Sequence, residues 1–246
     1  MRVFSPIILL AAILFSNALP LKAEENASNP LAAVNNIDLR WQYTSGDLAD
    51  QHRAYIDGAY MVTPKLKLKY ELHYVQTDLT GNDENDFEKV VLKPIFFPVE
   101  KKLNDAWGLR AAVGLDLIIE FGNDDKGIGI DADQVGPFGG FAFANMKSGL
   151  VLIPLLQQFL SFSGDTDVNT TALRLIALQP FGAANWVKLD AKIPYDWETE
   201  AWLPTAEVQI GHNFGPKWAA YVDGLAGFGN DRIYDAGVGL GLRYKF

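Results

Sequence analysis

The sequence predicts an all-β protein, an antiparallel transmembrane β-barrel of about twelve strands of the outer-membrane type. Three observations carry this. In the final stretch, Ala236–Phe246, every second residue is apolar or aromatic (Ala236, Val238, Leu240, Leu242, Tyr244, Phe246), with Gly237, Gly239, Gly241, Arg243 and Lys245 between. Side chains alternate faces along a strand, so this segment has one oily face and one small or cationic face. About nine to eleven such residues span a tilted transmembrane strand, and a terminal aromatic suits the membrane–water boundary. The segment reads as the closing strand, through which a barrel-assembly machinery would take the chain.

The second observation is that the same period of two recurs along the sequence. Ile37, Leu39, Trp41 and Tyr43 alternate with Asp38, Arg40 and Gln42, and Leu66, Leu68, Tyr70, Leu72 and Tyr74 with Lys65, Lys67, Lys69, Glu71 and His73. Leu109 to Ile119 alternate with Arg110, Gly114, Asp116 and Glu120; Val187 to Ile193 with Lys188, Asp190 and Lys192; Ala206 to Ile210 with Glu207, Gln209 and Gly211. In order, the predicted strands are 35–44, 54–63, 65–76, 87–97, 106–120, 135–145, 149–161, 168–179, 185–194, 201–213, 217–227 and 234–246.

The third is that the connections sort by parity. Thr63-Pro64, Pro98 to Asp105, Asn145 to Ser148, Pro180 to Ala184 and Phe214 to Pro216 are compact. Ser45 to Arg53, Thr77 to Asp86, Gly122 to Gln134, Phe162 to Asp167, Tyr195 to Glu200 and Phe228 to Ile233 are mostly longer and acidic. Short periplasmic turns alternating with external loops are the habit of an even-stranded outer-membrane barrel. A soluble all-β protein also alternates, but has no use for aromatics at both strand ends. Trp41, Tyr43, Tyr70, Tyr74, Trp107, Trp186, Trp202, Trp218 and Tyr244 fall there and predict a girdle.

Residues 1–23 read as a secretory signal peptide: Arg2, an apolar run from Ile7 to Leu14, and Leu21-Lys22-Ala23 at the cleavage point. Residues 24–246 then form one barrel domain exported to a Gram-negative outer membrane. Losing Arg2 and Lys22 leaves 19 cations against 30 acids, a net charge of −11, which argues against a nucleic-acid partner. No window reaches the ~18 uninterrupted apolar residues of a spanning helix, so residence in a bilayer requires a closed barrel. With no cysteine, disulfides and thiolate metal sites are excluded.

Several local patterns resemble the outer-membrane family associated with the meta-pathway of phenol degradation, transporter-like barrels. They are Asn29-Pro30-Leu31-Ala32 before the first strand, Ser163-Gly164-Asp165-Thr166-Asp167-Val168-Asn169, Trp186, Trp197-Glu198 and Trp202-Leu203-Pro204. The match covers the C-terminal third and the N-terminal tag. It departs from the family where Leu173-Arg174-Leu175 stands in place of Leu-Gln-Pro. The resemblance implies a barrel in the outer membrane more than an aromatic substrate, and it carries over no binding or catalytic residue.

For function, the inner face is the first candidate. Lipid-facing cations at mid-depth would cost about 2–4 kcal/mol each, so Arg40, Lys65, Lys67, Lys69, Lys93, Arg110, Arg174, Lys188, Lys192, Arg243 and Lys245 are assigned inward. Asp38, Asp57, Glu71, Asp116, Glu120, Asp190, Glu207 and Asp223 join them. Two readings follow: a charge-lined lumen that passes small solutes, with Lys65, Lys67 and Lys69 biasing it toward anions, or a structural barrel filled by paired charges. Acids at Asp83 to Asp86, Asn123 to Asp125, Asp131 to Asp133 and Gly164 to Asp167 read as solvated external loops, able to meet lipopolysaccharide through divalent ions, without the spacing of a calcium loop. A lipid hydrolase needs serine activated by histidine; His52 with Ser45 and Asp47 or Asp50 is the one local set, while His73 sits beside Glu71 and His212 has no nearby serine. An enzyme is not expected, and neither a metal nor another cofactor is implied.

Overall fold

The computed structural model describes residues 26–246; the predicted signal peptide lies outside them. Alternating hydrophobicity has produced thirteen strands: β1 (Asn36–Ser45), β2 (Asp50–Thr63), β3 (Leu66–Thr77), β4 (Glu84–Lys102), β5 (Trp107–Glu120), β6 (Ala132–Asn145), β7 (Val151–Gly164), β8 (Asn169–Phe181), β9 (Asn185–Asp196), β10 (Ala201–Trp202), β11 (Thr205–Phe214), β12 (Trp218–Gly227) and β13 (Ala236–Lys245). The two-residue β10 prolongs the β9 hairpin, and Leu203-Pro204 separates it from β11, so β10 and β11 fill one position in the wall. The result is a closed antiparallel barrel of twelve wall positions without an α-helix among the described residues.

Every neighbouring pair is antiparallel, and β1 closes on β13 from Asn36↔Lys245 to Ser45↔Ala236. Closure pairs every long strand on both sides, the condition for placing a sheet in hydrocarbon, and leaves one-sided the two-residue β10 at the loop end. All twelve predicted strands are present; β2, β4, β6, β7, β8 and β9 run two or more residues further than alternation alone indicated, because pairing continues past the last apolar residue. The β4–β5 connection is correspondingly shorter than Pro98 to Asp105, since β4 pairs as far as Lys102.

Burial is inverted relative to a soluble protein. Leu39 is 60% exposed, Leu240 55% and Leu156 59%, whereas Asp38 and Gln209 are each 1% exposed. Oily rows outside and ionic rows inside are stable only with a hydrocarbon solvent around the wall. The outer rows end in aromatics: Tyr74 meets Phe87, Trp218 meets Tyr244, and Tyr195 meets both Trp197 and Trp202, with ring centroids 4.8–5.4 Å apart. Trp186 is a correction to the predicted girdle: it is 1% exposed and points inward, where Gly211 leaves room for its indole.

The interior has two unlike halves. The inner rows of β4 to β8 include a buried apolar wall (Ile95, Phe97, Ala112, Ile153, Leu155, Ile176). Strands β1 to β3 and β9 to β13 carry most of the buried polar and charged side chains. Along the wall, the β6–β7 ladder is interrupted near Pro137 and Pro154, which have no N–H to donate.

Candidate functional site

The site is the barrel interior, and its first component is a segment the period-two pattern could not find. Residues 26–32 fold as linked turns at the end of the barrel that carries the short hairpins. Asn26 Oδ1 accepts from Ser28 N at 2.9 Å and Asn29 Oδ1 from Leu31 N at 2.8 Å, side-chain-closed turns that asparagine favours. Asn26, Ser28, Asn29, Leu31 and Ala32 are all buried. The wall supplies the anchors. Lys67 Nζ donates to the Pro30 and Ala32 carbonyls at 3.1 and 2.7 Å, and Arg110 Nη1 to that of Leu31 at 2.8 Å. Arg243 Nη1 donates to Ser28 Oγ, which itself donates to Gln209 Oε1 at 2.7 Å. Leu31 packs into the apolar wall. The Asn29–Ala32 motif is therefore a plug narrowing one mouth. A cavity of about 300 Å³ remains beside it, bordered by Asn29, Leu31, Glu100, Arg110, Ala142 and Ala144.

Above the plug lies an ionic network. Arg243 grips Asp38 with Nε at 2.8 Å and Nη2 at 2.6 Å. Tyr221 donates its hydroxyl to Asp38 at 2.8 Å, and its ring lies between the guanidinium groups of Arg40 and Arg243, 5.4 and 5.1 Å from the centroid. The glycine row of β13 makes this arrangement fit: a Cβ at Gly241 would occupy the space of the Tyr221 ring. Arg40 Nη2 reaches Asp223 at 2.8 Å and Glu207 at 3.4 Å. The β1–β11 contact spans strands that are not neighbours, so it crosses the interior.

The remaining cations are mostly paired. Arg174 holds Asp190 with two bonds of 2.7 and 2.6 Å; Lys188 meets Glu207 at 2.7 Å; Lys93 meets Asp116 at 2.9 Å and Glu71 at 3.8 Å. Lys69 and Lys192 are different. Among the described residues neither ammonium group has a hydrogen bond or an ion pair within 4.0 Å. Lys65 is a correction: it lies in the Pro64-Lys65 turn, exposed, with β3 beginning only at Leu66, so it sits on the rim and not inside the barrel. Lys245 meets Asn213 Oδ1 at 3.2 Å near the same rim.

Alternation also left out Arg53, Glu88 and Lys89. Glu88 is joined to both cations at 3.1 Å, and it stands at a bulge where β4 shifts register against β3. Outside the spanning region, Lys126 Nζ donates to Asp86 at 3.2 Å and holds that carboxyl below the usual carboxylate range.

The histidines do not assemble as a hydrolytic set. His52 stacks on Trp41 and Tyr43, His73 bonds Glu71 at 3.0 Å and stacks on Tyr55, and His212 bonds Asn185 at 2.7 Å. Among the described residues no histidine has a serine partner, and no group of three or more His, Cys, Asp or Glu could hold a metal.

Closed oil-outside barrels of this kind define the outer-membrane class. No family model matches the chain, and no curated protein sequence matches it. Among solved structures it resembles the KdgM porin, with a TM-score of 0.61 at 11% identity over 86% of this chain and 99% of that one. It also resembles an outer-membrane channel from Pseudomonas putida, with a TM-score of 0.62 at 11% identity over 88% and 97%. Outer-membrane phospholipase A from Escherichia coli follows at 0.53 and 11% over 91% and 98%. The chain thus has the fold of outer-membrane porins and channels, and the phospholipase likeness is one of fold.

Proposed function

We propose that the chain is a passive channel of a Gram-negative outer membrane, admitting small solutes through an interior that is ionic on one side and apolar on the other. The observation that carries this is the placement of ion-paired side chains on the inner rows, where they line a polar path through an oily wall. Arg40, Lys93, Arg174 and Lys188 are held rigidly by their acids and set the local field. Lys67, Arg110 and Arg243 hold the plug, which restricts the size of what passes. The Asn29–Ala32 and Ser163–Asn169 patterns support kinship with the barrels associated with phenol degradation. Lipopolysaccharide would surround the outer rim, and the assembly machinery would receive β13.

Liposome swelling with sugars and small organic acids of graded size tests the proposal. Swelling that falls with solute size supports passage; impermeable liposomes containing folded barrel overturn it. A second reading, a barrel filled for structural purposes, is favoured by the plug and by the density of paired charges. It predicts no swelling with any solute.

A further inference from the structure

Two inner-face pairs place like charges directly opposite one another: Lys69↔Lys93 on β3 and β4, and Arg174↔Lys192 on β8 and β9. Like charges in register destabilise a sheet. Lys93 and Arg174 offset this with carboxylates of their own, whereas Lys69 and Lys192 do not. The two pairs face each other from opposite walls, with three strands between β4 and β8. β3 and β9 stand six wall positions apart in the ring of twelve, so Lys69 and Lys192 look into the lumen from directly opposite walls, each beside its like-charged partner. Of the two unpaired lysines, Lys69 is half-buried and Lys192 exposed, so both are open to lumen water.

The acids nearby are largely engaged. Glu71 takes His73 and Lys93, Asp190 takes Arg174, Glu207 takes Lys188, and only Asp57 is loosely held, 4.0 Å from Arg40. On β8 the inner-face neighbours of Arg174 are Ala172 and Ile176, 7% and 2% exposed, so the cations border the apolar wall.

We propose that Lys69 and Lys192, backed by Lys93 and Arg174, form a lumenal binding site for a small organic carboxylate. Access to the site rests on the channel reading. The carboxylate completes the coordination that the fold leaves open, and it relieves repulsion within both pairs.

The test is saturation-transfer NMR of butyrate with the full-length detergent-folded barrel, compared with K69Q/K192Q and K69R/K192R. The wild type is expected to bind butyrate in preference to butylammonium. The glutamine variant should bind about tenfold more weakly, and the arginine variant should keep binding. The glutamine variant should also resist urea at least as well as the wild type, since it loses two repulsions; a purely structural role for the lysines predicts the reverse. Equal butyrate binding by wild type and glutamine variant, or none by the wild type, overturns the site. Bilayer conductance is measured on the same preparations: a barrel that binds butyrate but passes no current keeps the site and loses the channel, while a conducting barrel indifferent to the lysines does the opposite.

Discussion

Asp38 and Arg243 lock the first strand to the last. They are register partners across the β1–β13 seam, joined by Arg243 Nε and Nη2, and both side chains are almost fully buried. A two-bond guanidinium–carboxylate contact at the closure point favours one register over a slipped one, because a slip of either strand by one residue would turn its charge into lipid and leave the other unpaired. Removing one partner leaves the other charged and unpaired. Asp38→Asn should therefore lower unfolding stability by about 3 kcal/mol, read as a lower urea midpoint in detergent. The swap D38R/R243D should recover part of the loss, and a midpoint unchanged in Asp38→Asn would show that the pair does not hold the seam.

The plug should control current. Deleting residues 26–32 removes the groups held by Lys67, Arg110 and Arg243 and opens the short-turn mouth. Single-channel conductance is expected to rise severalfold, with a smaller rise for Lys67→Gln. Equal conductance with and without the segment would mean that it does not obstruct the lumen.

Gly241 is required by its neighbour across the strand. A Cβ there would collide with the Tyr221 ring, which is fixed by Asp38 and two guanidinium groups. Gly241→Ala should cost about 1–3 kcal/mol through forced displacement of that ring. The double variant with Tyr221→Phe should show whether the hydroxyl's bond to Asp38 is the resisting element: loss that is no smaller in the Phe background places the strain in the ring packing.

The loop between β5 and β6 should loosen in acid. Lys126 holds the Asp86 carboxyl low, so this group stabilises the folded state above the ordinary carboxylate range near pH 4, and its contribution disappears as pH falls through the depressed value. Amide exchange in residues 121–131 should be faster in Asp86→Asn than in the wild type at neutral pH, with the two converging in strong acid. A difference that persists unchanged in strong acid would exclude the Asp86–Lys126 contact as its source.

The wall was legible in the sequence because a half-lipid, half-polar strand forces alternation, and all twelve wall positions follow from it. The interior was legible only in part. Alternation gives the face of Lys69 or Arg174 but not the register, so it cannot tell a paired cation from an unpaired one. Lys65 shares the parity of Lys67 but stands in the turn one residue before β3 begins. On β7, Val151, Ile153 and Leu155 face inward while Leu152 and Leu156 face outward; with both faces apolar, the period vanished and the oily half of the interior went unseen. Residues 26–32 have no period at all, since a plug built from side-chain-closed turns follows its anchors on the wall.

Spin-label accessibility along β8 tests the central claim most directly. The chain has no cysteine, so single cysteines at Ala172, Leu173, Leu175 and Ile176 can be labelled cleanly in the barrel reconstituted into bilayers. Collision with dissolved oxygen should be high at 173 and 175 and low at 172 and 176, marking an outward oily row. Uniform accessibility along the strand, or a reversed pattern, would contradict a barrel that turns its apolar rows to lipid and its charges to the lumen.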